Sequence, residues 1–190
     1  MNILLLGVLA VLFSASVVLV SQSVEAGEKN NVEETAYFSI EPLDNWIYDI
    51  YSDSTSVDFT GLGPSNTMTL FPNVFDAEET NNNKGVKVTI QQDERYSVKN
   101  APLATYVKYK IDQQTDIMNV TSQEKMIVDG EETIKINGVG VGDSSGLKYV
   151  RYLIMHDNEP YYMGYRSELQ HFDKYLPEFE QMVQTFQFKD

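Results

Sequence analysis

Three aspartates form the clearest set of potential metal ligands in this sequence. Asp49, Asp53 and Asp58 fall within one short stretch that also contains Ser52 and Ser54. Carboxylate and hydroxyl oxygens are the ligands that calcium takes in proteins, so this stretch predicts a calcium site. The spacing differs from that of an EF-hand, and the glutamate that closes such a loop is missing. A solvated acidic loop is therefore the competing interpretation.

Residues suited to catalysis are few. The sequence has two histidines, His156 and His171, and a small Gly/Ser segment that contains Ser144 and Ser145. General acid–base catalysis needs a histidine with an orienting partner in a cleft, and a serine nucleophile turn has the Gly-x-Ser-x-Gly spacing, which is absent here. We expect surface histidines, no cofactor and no enzymatic activity; a hydrolase is the least supported class.

A tyrosine-rich segment near the end of the chain is a candidate binding surface. Its members are Tyr149, Tyr152, Tyr161, Tyr162 and Tyr165. Tyrosines that face outward favour contacts with a protein or a glycan, whereas tyrosines that face inward pack a sheet against a helix. Both interpretations stay open. Separately, Asn119-Val120-Thr121 is a sequon for N-glycosylation at Asn119, which predicts an exposed position in an exported protein.

Composition excludes several classes of function. The chain has 28 acidic and 14 basic residues and a formal net charge of −14. Nucleic acids and anionic lipids repel such a protein, so we expect neither as a partner. The chain contains no cysteine, which excludes disulfides, thiol catalysis, iron–sulfur clusters and zinc sites with cysteine ligands. The negative charge favours solubility, or attraction to cations and basic partners.

The N-terminal segment predicts the location of the protein. Ile3 to Val20 is almost entirely apolar, and Val24-Glu25-Ala26 is a small-residue cleavage motif. We expect residues 1–26 to be a signal peptide cut after Ala26, or an uncleaved N-terminal membrane anchor, because no Lys or Arg precedes the apolar run. Either would place the protein outside the cytoplasm: secreted if the segment is cut, or anchored if it is not. If it is not cut, we expect residues 3–20 to be the only part in the membrane. A linker over residues 27–35 and a single domain over 36–190 would follow.

The remaining pattern predicts strands first. Tyr37–Ile40 and Trp46–Tyr51 are interpreted as a hairpin with Trp46 in the core, and Gly85–Gln91 alternates as a half-buried strand. Two further hairpins are predicted. One joins 124–128 to 131–136 across Asp129-Gly130, and the other joins 147–155 to 160–166 across 156–159.

Two helices complete the prediction. One begins at Asn100–Pro102 and ends near Ile117, with an apolar stripe that includes Lys110. The other is placed at the C-terminus, with Pro177 near its start after a turn over Phe172–Leu176. The fold class is therefore α+β: an antiparallel sheet flanked by helices.

Two segments resemble PsbP-like domains. The first is Tyr37-Phe38-Ser39-Ile40-Glu41-Pro42-Leu43-Asp44-Asn45-Trp46, and the second is the tyrosine-rich hairpin with the helix after it. The resemblance implies the α/β/α sandwich of PsbP, an extrinsic subunit of photosystem II, which Mog-type Ran-binding proteins share. It also implies a non-enzymatic protein that binds, stabilises or assembles complexes. Without a twin-arginine pair or long transit region, the chain is more similar to a secreted prokaryotic or archaeal single-domain relative.

The expected function is therefore an exported binding domain that holds or stabilises a protein assembly at the cell envelope. Its partner is unknown, and recognition would use a sheet edge, the tyrosine-rich hairpin or the polar loop at residues 76–84. The alternative is a small-ligand or calcium-binding module that uses the Asp49–Asp58 stretch or a pocket between sheet and helix.

Overall fold

A computed structural model describes residues 32–35, 37–51, 67–75, 85–93 and 98–189, with the backbone alone described at 49–51. The predicted leader and most of the predicted linker lie outside these residues. The described part contains ten strands, two α-helices and one short 3-10 helix, Gly142–Ser144. In chain order the strands and α-helices are β1 Glu33–Glu34, β2 Phe38–Ile40, β3 Trp46–Tyr51, β4 Thr67–Pro72, β5 Val86–Gln92, α1 Leu103–Asp112, β6 Met118–Val128, β7 Glu131–Gly140, β8 Leu147–His156, β9 Glu159–Glu168, α2 Leu169–Val183 and β10 Gln187–Phe188.

Seven strands form one antiparallel sheet in the order β3-β4-β5-β9-β8-β7-β6. Two tight turns build its long hairpins. Asp129 and Gly130 join β6 to β7 with φ of 45° and 83°, and Asp157 and Asn158 join β8 to β9 with φ of 49° and 66°. Left-handed backbone at both central residues matches the twist of the flanking strands, which is why Asp-Gly and Asp-Asn occur there. Both predicted hairpins are confirmed, with longer strands.

The two helices cover opposite faces of this sheet. Along β8, Tyr149 and Leu153 pack in the cluster that contains Val107 of α1. Their neighbours Val150 and Tyr152 pack in the cluster beneath α2. Because successive side chains of a strand point to opposite faces, a strand covered on both sides is apolar on both sides. The result is a three-layer α+β arrangement, which confirms the predicted fold class.

The first predicted hairpin is wrong. β2 pairs with β1 and with β10, the last strand of the chain, in a separate three-stranded sheet. β3 pairs instead with β4. Burial explains the choice: Phe38 stacks on Phe186 with ring centroids 5.5 Å apart, so β2 closes the α2 side of the core. Trp46 is buried as predicted, and the predicted linker contributes strand β1.

Both helices differ from their predicted bounds. Helix α1 ends at Asp112, and a turn at residues 113–117 leads into β6. Helix α2 begins at Leu169 and continues through Pro177, which had been expected near its start. Proline at that position removes the hydrogen bond to the carbonyl of Asp173. Asp173 and Pro177 are both exposed, so water can replace the lost donor. Within the residues described, neither helix is long and apolar enough to cross a membrane.

Candidate functional site

A groove of about 400 Å³ lies between helix α1 and the outer strands β6 and β7. Apolar side chains of α1 form one wall, at spacings that keep them on one face of the helix. Polar and charged side chains surround the opening. The groove is lined by Leu103, Ala104, Val107, Lys108, Ile111, Asp112, Gln123, Lys125, Glu132 and Ile134.

The charged residues at the opening form two ion pairs. Lys108 pairs with Asp112 one turn along α1, and Lys125 pairs with Glu132 across β6 and β7 at 3.0 Å between Nζ and Oε1. All four side chains are more than half exposed. Exposed pairs of this kind are weak and exchange readily with water. The groove is therefore open along its length, with an apolar wall and a mobile charged rim.

A buried ion pair fixes α1 on the sheet. Lys110 Nζ lies 2.8 Å from Asp93 Oδ2, and both side chains are less than 5% exposed. The Tyr106 hydroxyl donates to the same carboxylate at 3.4 Å, and the Lys110 ammonium lies 4.8 Å from the ring centroid of Tyr162. A buried pair is retained when further polar contacts satisfy it, as they do here. Asp93 follows β5 directly, so the pair connects α1 to the centre of the sheet.

Strand β6 is the outer strand beside the groove. It has eleven residues, and among the described strands it pairs with β7 alone. An edge strand presents a row of backbone N–H and C=O groups that can pair with another chain. A register shift between Val120 and Ser122 interrupts its first part, while Ser122–Val128 pairs regularly. The regular part carries Gln123 and Lys125 of the groove lining.

Of the two interpretations of the tyrosine-rich hairpin, burial favours the one in which the rings pack a sheet against a helix. Tyr149, Tyr152, Tyr161 and Tyr165 are buried, and only Tyr162 is partly exposed. The reason is that β8 and β9 are central strands with a helix on each face. Burial raises the pKa of Tyr161 to about 12, and it also raises the pKa of Tyr152 and of Tyr165. Four of the five rings therefore pack in the core.

The predicted calcium ligands are not brought together in the part of the chain that the structure describes. Asp49 lies in β3, where only its backbone is described, and Asp53 and Asp58 lie outside the described residues. Calcium binding there stays a prediction, as does recognition through residues 76–84. Asn119 is exposed, on β6 rather than in a loop after the helix, and pairs with Val139.

Each histidine packs on an aromatic ring. The imidazole of His156 stacks on Phe188 at 4.0 Å between centroids, and its Nδ1 lies 3.0 Å from Glu131 Oε1. His171 lies edge-on to Phe75 at 5.1 Å. Both side chains are partly exposed, and each also packs on a ring of a neighbouring element. The two ring contacts therefore pack β10 against β8, and α2 against the segment that follows β4.

Sequence reasoning named a sheet edge and a pocket between sheet and helix as candidate features but placed neither on particular residues, and it missed the Asp93–Lys110 pair. One signal for the pair was present: Lys110 occupies an apolar-stripe position of α1, and a lysine there needs a buried counter-charge. No such signal existed for the groove, since its two sides come from segments that only the fold brings together.

No protein-family model matches this chain, and no curated protein matches its sequence significantly. Similar solved structures include cyanobacterial PsbP from Synechocystis, with 12% identity, a TM-score of 0.47 and coverage of 80% of this chain and 86% of that one. LpqN of Mycobacterium tuberculosis, involved in cell envelope biogenesis, has 4% identity, a TM-score of 0.46 and coverage of 80% and 83%. PA94 of Pseudomonas aeruginosa, a protein of unknown function, has 16% identity, a TM-score of 0.47 and coverage of 53% and 70%. A PsbP structure is thus among the similar folds, as the sequence resemblance predicted; similarity at this level carries no argument about ligand, partner or location.

Proposed function

We propose that this chain is an extracytoplasmic, non-enzymatic binding domain that holds an extended segment of a partner protein along strand β6. The observation that carries the proposal is the position of an apolar groove directly beside a long edge strand. A peptide that adds to a sheet edge gains main-chain hydrogen bonds, and its alternate side chains enter neighbouring pockets. The predicted leader supports the location of the domain outside the cytoplasm.

The open form of the groove favours a chain segment over a small molecule. Sites for small molecules enclose most of the ligand surface, whereas the charged rim here is largely exposed to solvent. An extended segment needs little enclosure, because the edge strand supplies its hydrogen bonds. Every second side chain of an added strand would point to the α1 side of the sheet, where the groove lies.

Charge indicates the chemistry of the segment. The rim lysines Lys108 and Lys125 are each engaged by a carboxylate, and Glu124 and Asp116 add negative charge on β6 and just before it. The chain as a whole carries −14. We therefore expect a segment in which apolar residues alternate with Lys or Arg. Association should be weak, with Kd of about 10 µM to 1 mM, as for other small interfaces.

The test is a library of labelled ten-residue peptides in which Val, Ile or Leu alternates with Lys or Arg. Binding is followed by fluorescence anisotropy, and amide hydrogen exchange shows where the peptide lies. We expect binding that protects the amides of Ser122–Val128. Ala104→Trp fills the groove from an exposed helix position and should weaken binding about tenfold or more, or about 1.4 kcal/mol. Thr105→Trp, exposed on the same helix but away from the groove, is the matched control.

Three results would contradict the proposal. One is that no member of the library protects the β6 amides. Another is that the two tryptophan variants bind equally well. The third is protection confined to α1, which would mean that the groove takes a helix or a small apolar ligand without strand addition.

A further inference from the structure

A buried arginine lies on the α1 face of the sheet, apart from the groove. Arg151, in the middle of β8, is 5% exposed, and its Nε has no hydrogen-bond partner. Its guanidinium carbon lies 5.1 Å from the ring centroid of Tyr149 and 6.0 Å from that of Tyr162. Aromatic faces stabilise a cation but leave its N–H donors unused. Burial of a charge without a hydrogen-bonded counter-charge is unfavourable, so this donor is the kind of group that a ligand satisfies.

Two more cations lie on the same face. The two cations are Arg166 of β9 and Lys87 of β5, which lie directly opposite each other in the sheet. Arg166 is also opposite Tyr149 of β8. Arg151 lies in the adjacent row, opposite Gly164 of β9. Neighbouring strands are about 4.8 Å apart, so these long side chains can reach a common point. Burial, and then the charge of Arg166, lowers the pKa of Lys87.

A hydroxyl lies at the centre of this group. A Cβ added at Gly164 would lie 2.0 Å from the hydroxyl oxygen of Tyr162, which shows that the phenol extends over the glycine. Gly164 is flanked by Arg151 on one side and by Thr89 of β5 on the other. Because residue 164 has no side chain, the Tyr162 hydroxyl can lie over it, next to the position of Arg151 on the neighbouring strand. A hydroxyl there can donate to the same ligand as Arg151.

We propose that this face binds a phosphate-sized oxyanion, with Arg151 at the floor of the site and Lys87, Arg166 and the Tyr162 hydroxyl at its mouth. Lys87 and Arg166 are partly exposed, so they mark the side from which the anion enters. The guanidinium fork matches oxyanion geometry, and the anion would supply an acceptor to the buried Nε of Arg151. This site is independent of the β6 edge.

The experiment compares the melting temperature of the purified protein in chloride with that in phosphate, glycerol phosphate or acetate at equal ionic strength. Phosphate at about ten times its Kd should raise Tm by about 3–6 °C. Arg151→Met should abolish that rise without lowering Tm in chloride, because an apolar side chain replaces a buried unpaired charge. Lys148→Met removes a cation from the opposite face of the same strand and should keep the rise.

If Arg151→Met does not fold, Lys87→Gln serves at a partly exposed position and should reduce the phosphate effect at least threefold. If glycerol phosphate raises Tm as much as inorganic phosphate does, the natural ligand is a phosphate ester. If only inorganic phosphate raises Tm, the ligand is the free anion. Either result supports the site. The proposal is overturned if phosphate acts no differently from chloride and acetate. It is also overturned if the rise persists in both site variants.

Discussion

Removal of the Lys110 ammonium is the sharpest test of how α1 is held against the sheet. Lys110→Met keeps the length and the apolar stem of the side chain but leaves Asp93 as a buried charge without its ammonium partner. Loss of one member of a buried pair costs about 3–5 kcal/mol, because the remaining carboxylate is buried away from water and has lost its ammonium partner. For a domain of this size that corresponds to a decrease in Tm of about 10 °C.

The assay is urea unfolding followed by tryptophan fluorescence and circular dichroism. Trp46 is the only tryptophan, and it is buried, with its indole N–H donating to Glu178 at 2.7 Å. It lies on β3 and contacts α2, so it reports the loss of packing far from α1. Identical midpoints from the two signals would show that the variant unfolds in one cooperative step.

Lys108→Met is the matched control on the same helix. Lys108 is 75% exposed and pairs with Asp112 at the surface, so its loss should change stability by no more than about 0.5 kcal/mol. The double variant Asp93→Leu with Lys110→Met removes both charges and should recover at least half of the loss. The reasoning is refuted if Lys110→Met costs no more than Lys108→Met.

Three further predictions follow from other contacts. Burial raises the pKa of Tyr161 to about 12 in the folded state, against about 10 when unfolded, so its contribution is complete below pH 10 and is lost as the pH rises through 12; between these values the stability measured in urea should fall by about 1.4 kcal/mol per pH unit, and Tyr152, whose pKa burial also raises, should steepen the fall. Gly140→Ala would place a Cβ 1.8 Å from the carbonyl oxygen of Ser144 and should lower the free energy of unfolding by about 1–3 kcal/mol. At Gly138 the added Cβ would lie 2.3 Å from the Met118 sulfur, a side chain that can shift, and no nearer than 3.0 Å to the Asn119 carbonyl oxygen, so Gly138→Ala should cost less. Pro177→Ala restores a backbone donor inside α2 and should raise the urea midpoint by the equivalent of about 1–2 kcal/mol; an unchanged midpoint would mean that water already replaces that donor fully.

Features that depend only on residues close together in the sequence were predictable. Asp129-Gly130 favours a tight turn whatever lies around it, and the alternation of Val86, Val88 and Ile90 produces a strand with one buried face. The error at Pro177 has the opposite origin. A local rule places proline in the first turn of a helix, but the packing of Phe172 and Tyr175 in the core outweighs the loss of one exposed hydrogen bond, so the helix begins before them.

By itself the sequence determined the α+β class, two of the hairpins, the amphipathic helices and the acidic, cysteine-free surface, because each follows from local turn chemistry, periodicity or composition. Only the tertiary structure decided that β2 pairs with β10, that β6 is an edge, and that Lys110 meets Asp93. Strand order depends on the burial of side chains that are distant in sequence, and a groove exists only between elements already in place. The same holds for Arg151, because only the folded structure shows that its Nε is buried away from water without a hydrogen-bond partner.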